Sequence, residues 1–517
     1  MSKSALVGVW PLSPLQEGML FHSQYDDQGT DVYVEQLVMG LGGNLDVGAL
    51  RASWQGMLDR HESLRACFQR RSSGSPVQLI MRRVALPWRE EDLSNLAGDA
   101  AEAEAERIAV EEQSQRFNLA VPPLMKLLLI KFGADRYRMV VTLHHILLDG
   151  WSLEVLMREF WSAYEAGGSV AGLPMVTPYR EYLEWLARQD EQEARDAWRA
   201  ALAGVDEPTL VAPVFDHGAA QAFSGVVRAT TGSEVDAALR ELARTNGLTL
   251  NTVVQAAWAV VVGQLTGRRD VVFGTSVAGR PADLSGMENM VGLFINTVPV
   301  RVRFSPEQTV TQMLEELQAQ QTGLVDFQYL SLSEIQRLAG PGGVFDTMMA
   351  FENFGSGVTG QKAPDSTEQP PADGQGGGPG GLRITEVGVR ESINYPLGLV
   401  VSPGGGLKMR LNYRPDLFDE RAAQTIVDRM VRVLEQVAAD PGLRLSDIEV
   451  LDDAERSLVV GRWNDTAVRV PDQTMPELFE AQVAASPDVV AVRCGADVLT
   501  YAELDQRANR LARYLTG

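Results

Sequence analysis

One stretch constrains this 517-residue chain more than any other: Met139-Val-Val-Thr-Leu-His-His-Ile-Leu-Leu-Asp-Gly-Trp-Ser152. Val140, Val141, Thr142 and Leu143 are β-formers and predict a buried strand. Leu153, Leu156, Met157, Phe160, Trp161 and Tyr164 follow at helical spacing, so the strand turns at Asp149-Gly150 into an amphipathic helix. Successive strand residues face opposite ways, so His144 and His145 cannot serve one small group together. One is expected to pack into the core and the other to face a cavity. The chain has five histidines in all, which makes an accidental pair improbable.

The rest of the chain alternates strand and helix in two rounds. A helix start is read at Ser13, Pro14 and Glu17, with His22 closing that helix at its dipole-favoured end. Asp46 to His61 reads as an amphipathic helix, with His61 packed in its stripe. Ala100 to Gln115 is an acidic, solvated helix, and Leu124–Lys131 and Tyr137–Leu143 are strands. Tyr179, Tyr182 and Trp185 form an aromatic stripe. After a connection over Leu202–Phe223 the second round gives helices at Ser233–Thr245 and Thr249–Leu265, the latter nearly all apolar and hence buried. Strands are read at Asp270–Gly274, Met290–Val302, Phe345–Phe354, Leu382–Val389, Tyr395–Val401 and Leu407–Tyr413, with helices at Val310–Leu324 and Asp419–Ala439. The glycine-rich segment 355–381 has too few apolar side chains to offset its ordering entropy and is expected to be a mobile loop. Past Leu451 a new helix–strand–helix pattern begins, and the chain is expected to stop inside a second domain.

Charge and cysteine usage narrow the class. A net charge of −22 with no basic run disfavours nucleic acid and anionic membranes as partners. Two cysteines, Cys67 and Cys494, make no disulfide framework. With no signal-like start and no membrane-length apolar run, a cytoplasmic location is expected. There is no G-x-S-x-G elbow, Cys–His signature, phosphate loop or zinc pattern. By residues alone the chemistry reaches histidine-assisted group transfer.

A family resemblance goes further. His144-His-Ile-Leu-Leu-Asp-Gly150 matches the HHxxxDG motif of nonribosomal peptide synthetase condensation domains. Ser13 to His22 resembles the family's first motif, Arg60-His-Glu-Ser-Leu-Arg65 the second, and Tyr179 to Trp185 the YxDFAxW motif, with Glu181 in place of Asp. Val291-Gly-Leu-Phe-Ile-Asn-Thr297 resembles GxFVNT, and Asp326–Ser331 and Arg390–Leu397 are looser matches. Residues 460–517 resemble the start of an adenylation domain, with Leu499-Thr-Tyr-Ala-Glu-Leu504 matching LTYxEL.

The resemblance implies an α/β fold of two chloramphenicol acetyltransferase-like lobes, a V-shaped pseudo-dimer around a central tunnel, followed by a truncated adenylation segment. The lobes would be 1–190 and 191–450, with 451–517 the linker and adenylation start. It implies that donor and acceptor carrier domains dock at the two mouths and that the adenylation domain adjoins. Substrates would arrive on 4′-phosphopantetheine arms; the chain itself would bind no cofactor and no metal. His145 would be catalytic and His144 its buried neighbour, with Gly150 keeping the substrate channel open, unless turn geometry alone explains that glycine. Asp149 is either a helix N-cap or, as the family implies, the ion-pair partner of Arg280 in the other lobe. Trp151, Ser152, Asn296 and Ser392 are tunnel candidates. The opening motif, His144–Ser152 and Tyr329–Ile335 resemble the subtype that takes a D-configured donor. An epimerization domain, a non-catalytic recruitment domain and a free-standing acyltransferase are the competing readings.

Overall fold

The computed structural model describes residues 5–25, 29–212, 223–352, 381–470 and 472–517. The segment read as a mobile loop, 355–381, lies outside them apart from Gly381, as does 213–222 of the Leu202–Phe223 connection. The chain divides into two units, Met1–Val450 and Leu451–Gly517.

The first unit opens with β1 (Leu6–Trp10) and α1 (Pro14–Tyr25). The α1 start is a reciprocal cap: the Ser13 amide donates to Oε1 of Gln16 at 3.0 Å, and the Gln16 amide donates to Oγ of Ser13 at 3.4 Å. Gln16, rather than Glu17, closes this box. Next come β2 (Val34–Gly42) and α2 (Val47–Arg60), capped by Asp46, then β3 (Ala66–Arg70) and β4 (Pro76–Met81). β5 (Trp88–Asp92), α3 (Gly98–Ser114), β6 (Met125–Lys131) and β7 (Arg136–His144) follow. Three helices follow: α4 (Gly150–Glu165), α5 (Tyr179–Leu186) and α6 (Glu191–Ala201).

The second half runs β8 (Gly225–Thr230), α7 (Ser233–Thr245), α8 (Leu250–Thr266), β9 (Asp270–Val277) and β10 (Asn296–Arg303). It continues with α9 (Val310–Leu324), α10 (Leu332–Ala339), β11 (Thr347–Phe351) and β12 (Arg383–Arg390). It closes with β13 (Leu397–Pro403), β14 (Leu407–Tyr413) and α11 (Glu420–Ala439).

Two sheets organise the unit. One has the order β12-β2-β7-β6-β5, the other β10-β9-β11-β13-β14-β8. The second half therefore lends β12 to the sheet of the first. β12 lies antiparallel on the edge of β2, with Val389 opposite Leu37 and Arg390 opposite Gln36. A division at residue 190 does not describe this strand, because the edge that a strand pairs with is not written in its own sequence.

Each sheet is backed by helices whose apolar stripe it covers. In the first core Trp54 of α2 and Phe160 of α4 meet at a ring-centroid distance of 4.5 Å, both fully buried. Truncating Phe160 to alanine would cost about 3–5 kcal/mol. The second core is built on α8, whose Val254, Trp258 and Val261 are buried with Phe273 and Met430. Residues 287–294 belong by sequence to the second half, yet Met287, Met290, Val291, Leu293 and Phe294 pack in the first core. No single described helix is long and apolar enough to cross a membrane.

The unit 451–517 carries a helical turn at Asp453–Arg456, then α12 (Met475–Ala485), an antiparallel pair β15 (Val490–Cys494) and β16 (Asp497–Thr500), and α13 (Tyr501–Thr516). Capping boxes start both longer helices, Thr474 with Glu477 and Thr500 with Glu503. The second of these is the Thr and Glu of the LTYxEL match.

Candidate active site

The turn between β7 and α4 is built from both directions of the chain. β7 ends at His144, and residues His145–Leu147 form a 3-10 turn. The side chains thus diverge because the strand stops, and not through continued strand alternation. The His145 amide donates to the Tyr33 carbonyl at 2.8 Å, and Nε2 of Gln16 donates to the Ile146 carbonyl at 3.0 Å. The opening motif braces the histidine turn through this glutamine.

His144 is fully buried. The Ile146 amide donates to its Nδ1 at 3.1 Å, which leaves the ring proton on Nε2. Nε2 lies 3.4 Å from Oδ2 of Asp31 and 3.4 Å from Oγ of Ser23. Burial opposes the Asp31 charge, but the His144 ring, Ser23 and the Tyr33 amide outweigh it and hold that carboxyl at about 2. His144 is a core histidine with both nitrogens engaged.

His145 differs in both respects. Its side chain is 20% exposed, against 0% for His144. Nδ1 lies 2.9 Å from the Leu148 carbonyl. A carbonyl only accepts, so Nδ1 carries the proton and Nε2 keeps its lone pair. Oε2 of Glu35 stands 3.7 Å from Nδ1. Burial works against the imidazolium, yet Glu35 and the Leu148 carbonyl more than offset it, and the ring is more basic than an ordinary histidine.

Asp149 plays both of the roles weighed for it. It is the N-cap of α4, accepting from the Ser152 amide at 2.8 Å. The same carboxylate meets Nη2 of Arg280 at 3.3 Å and accepts from the amides of Phe294 and Ile295 at 3.0 and 3.3 Å. Arg280 in turn donates from Nη2 to Oγ of Ser152 at 2.8 Å and from Nη1 to the Met287 carbonyl at 2.6 Å. Its guanidinium lies 4.0 Å from the Phe294 ring centroid. These bonds explain why the chain from Met290 to Ile295, expected as strand, is not one: its amides serve Asp149 and Ser152 instead of a ladder. Gly292 allows close approach here, since a Cβ would run into the Tyr179 ring, and the Tyr179 hydroxyl donates to the Leu293 carbonyl at 2.6 Å. Gly279, at φ +57°, brings the backbone before Arg280 against Phe294.

The other expected site residues divide. Ser152, expected at the tunnel, is fully buried, and its hydroxyl is taken up by Arg280, the Gly292 carbonyl at 2.7 Å and the Gly292 amide at 3.1 Å. Asn296, also expected there, is 4% exposed and donates to the Gln328 and Leu330 carbonyls at 2.8 and 2.7 Å. Both hold backbone together. Trp151 is 41% exposed and donates from Nε1 to the Glu288 carbonyl at 3.2 Å. Ser392 is half-buried in the connection after β12. Gly150 is the exposed first residue of α4 and has no positive φ, so turn geometry does not require glycine there.

Sequence pattern alone passes over a group of charges beside His145: Glu35 on β2, Glu352 after β11, Glu391 after β12 and Arg410 on β14, with Glu391 ion-paired to Arg410. Burial first, and then the neighbouring Glu391, push Glu352 up to about 7; burial also raises Glu35, against the opposing pull of His145 and Arg410. A signal was present. Glu35 and Glu352 are each a lone carboxylate inside an apolar strand stretch, where an unpaired charge is costly.

A family model of the condensation domain matches residues 7–460. The chain belongs to the condensation-domain family. It is 38% identical over 520 residues to a linear gramicidin synthase chain of Brevibacillus parabrevis, covering 99% of this chain and 6% of that protein. It is 32% identical over 518 residues to bacitracin synthase 3 of Bacillus licheniformis, covering 99% and 8%. The chain thus spans a small part of these relatives. Among solved structures, a four-domain nonribosomal peptide synthetase bound to AMP and glycine superposes with a TM-score of 0.73 at 20% identity, covering 99% of this chain and 39% of that one. The first condensation domain of the calcium-dependent antibiotic synthetase, in complex with a substrate analogue, gives 0.68 at 20% identity, covering 86% and 100%. The fold of this condensation domain is accordingly the chloramphenicol acetyltransferase-like one.

Proposed function

We propose that this condensation domain forms a peptide bond between two substrates held on carrier-protein phosphopantetheine arms. The acceptor α-amine attacks the donor thioester carbonyl. A C–N bond forms, the C–S bond breaks, and the proton lost by the amine leaves on the thiol. The arms enter from the two mouths of a tunnel between the lobes. The observation that carries this reading is His145: a partly exposed imidazole with its Nδ1 proton fixed on the Leu148 carbonyl, leaving Nε2 to accept. It stands on a turn that Asp149 and Arg280 hold against the second half of the chain. His145 takes the amine proton and returns it to sulfur; His144, Asp149 and Arg280 maintain the turn.

The donor is read as D-configured, on the likeness of Ser13–His22, Leu148–Ser152 and Tyr329–Ile335 to that subtype. Residues 460–517 are read as the start of the adjoining adenylation domain, on the LTYxEL match at 499–504. The test supplies carrier proteins loaded with defined, non-epimerising donor analogues and an aminoacyl acceptor, and follows the product by intact-protein mass spectrometry. Amide formation with the D-donor, much faster than with its L-epimer, is expected, because a reacting centre misplaced by about 1 Å loses about 10²-fold. Equal rates would remove the stereochemical reading alone. No amide with any donor would remove the condensation reading and favour recruitment.

A further inference from the structure

We infer that Glu35 is a positioning residue for His145: it fixes the ring through its Nδ1 edge and balances the positive charge that the ring takes on during condensation. The inference rests on the condensation reading above. Glu35 lies on β2 opposite Leu143 of β7, one residue before the histidine pair. Its carboxylate reaches to 3.7 Å of Nδ1, the nitrogen whose proton already lies on the Leu148 carbonyl at 2.9 Å. A carbonyl and a carboxylate thus flank the same N–H, and Nε2 is turned away from both.

The neighbouring charges single out Glu35. The charged groups around His145 come from several elements: Glu35 from β2, Glu391 from the connection after β12, Asp149 from the start of α4, Glu352 just after β11, and Arg410 from β14. Asp149 has Arg280, and Glu391 has Arg410. Glu35 is the carboxylate ion-paired to the ring itself. The β12 crossover completes the arrangement, because Arg390 pairs with Gln36 and so carries Glu391 and its Arg410 to the side of Glu35.

The chemistry follows with its protons balanced. As the acceptor nitrogen bonds to the carbonyl carbon, its N–H proton passes to Nε2 of His145. The ring becomes an imidazolium with both nitrogens protonated, and its charge falls against Glu35. When the C–S bond breaks, the proton returns from Nε2 to the departing sulfur and the ring is neutral again. A carboxylate at the Nδ1 edge favours the charged ring and keeps Nε2 aimed at the substrate. A carboxylate that only filled space would do neither.

The experiment compares wild type, Glu35→Gln and Glu35→Asp in the full chain by two readouts. The first is an NMR pH titration of the histidine ring protons, tractable with five histidines and assigned with His145→Gln. Removing a negative charge beside an imidazolium lowers its pKa, so His145 is expected to titrate at lower pH in Glu35→Gln and close to wild type in Glu35→Asp. The second is single-turnover condensation against pH. The acidic limb of Glu35→Gln is expected to move to lower pH and its plateau to fall roughly tenfold, a fraction of the ~10²–10⁴ that a positioned acid–base group supplies, with Glu35→Asp restoring the limb. A His145 titration and an acidic limb that are both unmoved in Glu35→Gln overturn the inference. Equal losses in the two variants with the limb unmoved also overturn it, since they describe packing. Wild type that forms no amide defeats the condensation reading instead, and the NMR titration then still decides whether Glu35 governs the ring.

Discussion

Three residues separate His145 from Asp149, and the two ends of that turn handle charge in opposite ways. At Asp149 each carboxylate oxygen has its donors: the Ser152 amide and Arg280 on one, the Phe294 and Ile295 amides on the other. Both terminal nitrogens of Arg280 are matched too, by Asp149, Ser152 and the Met287 carbonyl. Around His145, three carboxylates, Glu35, Glu352 and Glu391, share one guanidinium and one imidazole; burial raises Glu35 against the pull of His145 and pushes Glu352 up to about 7. Both ends lie in the same low-dielectric junction. The difference is that a matched charge there is fixed, while an excess of carboxylates must share protons near neutral pH. The first makes a framework and the second makes a group that can exchange a proton during a reaction.

The largest effect should come from breaking the matched end. Asp149→Ala leaves Arg280 buried without its anion and removes the α4 cap, so about 3–5 kcal/mol of stability should be lost, read by denaturant unfolding, with activity lost alongside. Asp149→Asn keeps a capping oxygen and isolates the charge. An Asp149→Ala protein as stable as wild type and yet inactive would mean that Asp149 acts in the chemistry and that the two ends are not distinct.

At the other end the effect should fall mainly on rate. His145→Ala is expected to slow single-turnover condensation by roughly 10²-fold or more, with the fold intact. Full activity in that variant would withdraw the role from His145. His144→Ala, by contrast, should lower stability, because it empties a fully buried site and strands the Asp31 carboxylate.

How much of this contrast could be read from the chain depended on the range of the interaction. The turn, its flanking strand and helix, and the pairing of Asp149 with Arg280 follow from a local pattern and a family motif, and the structure places those residues together. Helices with a clear apolar period, such as Val310–Leu324, have the limits that their spacing predicts. What escaped was long-range or masked by competing bonds. β12 pairs across to β2 for reasons that lie in β2. Met290–Ile295 has strand composition, but Asp149 and Ser152 claim its amides. The cluster at His145 joins β2, β11, β12 and β14, and no single window of sequence contains it.

The unmatched end makes a prediction about pH. Glu352 is pushed from the ordinary carboxylate range up to about 7, chiefly by burial. The folded state keeps a proton that the unfolded chain has released, so stability falls as pH rises from about 4.5 through 7. Asp31 and Glu159, held at about 2 against the cost of burial by hydrogen bonds from His144 and His61, slope the other way. Their contribution is full above about pH 4.5 and is lost as pH falls toward 2. Stability should therefore peak in mildly acidic solution. Glu352→Gln removes the costly ionisation and should stabilise the protein at pH 8 by about 1–2 kcal/mol, after discounting for solvent screening, and leave it unchanged at pH 4. A variant less stable at pH 8 would show that Glu352 is a satisfied charge, and the contrast between the two ends would lose one of its supports.

The smallest effect tests where the matched end stops. Trp151 follows Gly150 on α4, and its ring lies 5.5 Å from the Arg280 guanidinium, farther than Phe294 at 4.0 Å. It is 41% exposed, and its one directional bond runs from Nε1 to the Glu288 carbonyl at 3.2 Å. Trp151→Phe keeps an aromatic face toward Arg280 and deletes that bond. A single neutral hydrogen bond contributes about 0.5–1.5 kcal/mol net, and one whose donor and acceptor can both turn to water belongs at the low end. The variant should lose under about 1 kcal/mol in denaturant unfolding. It should also leave the acidic limb of the condensation rate in place, since no charge near His145 changes. A loss as large as that of Asp149→Ala would extend the locked framework out to the exposed face of α4. A slowed rate with unchanged stability would instead place the Trp151 ring against the substrate, the role expected for it as a tunnel residue.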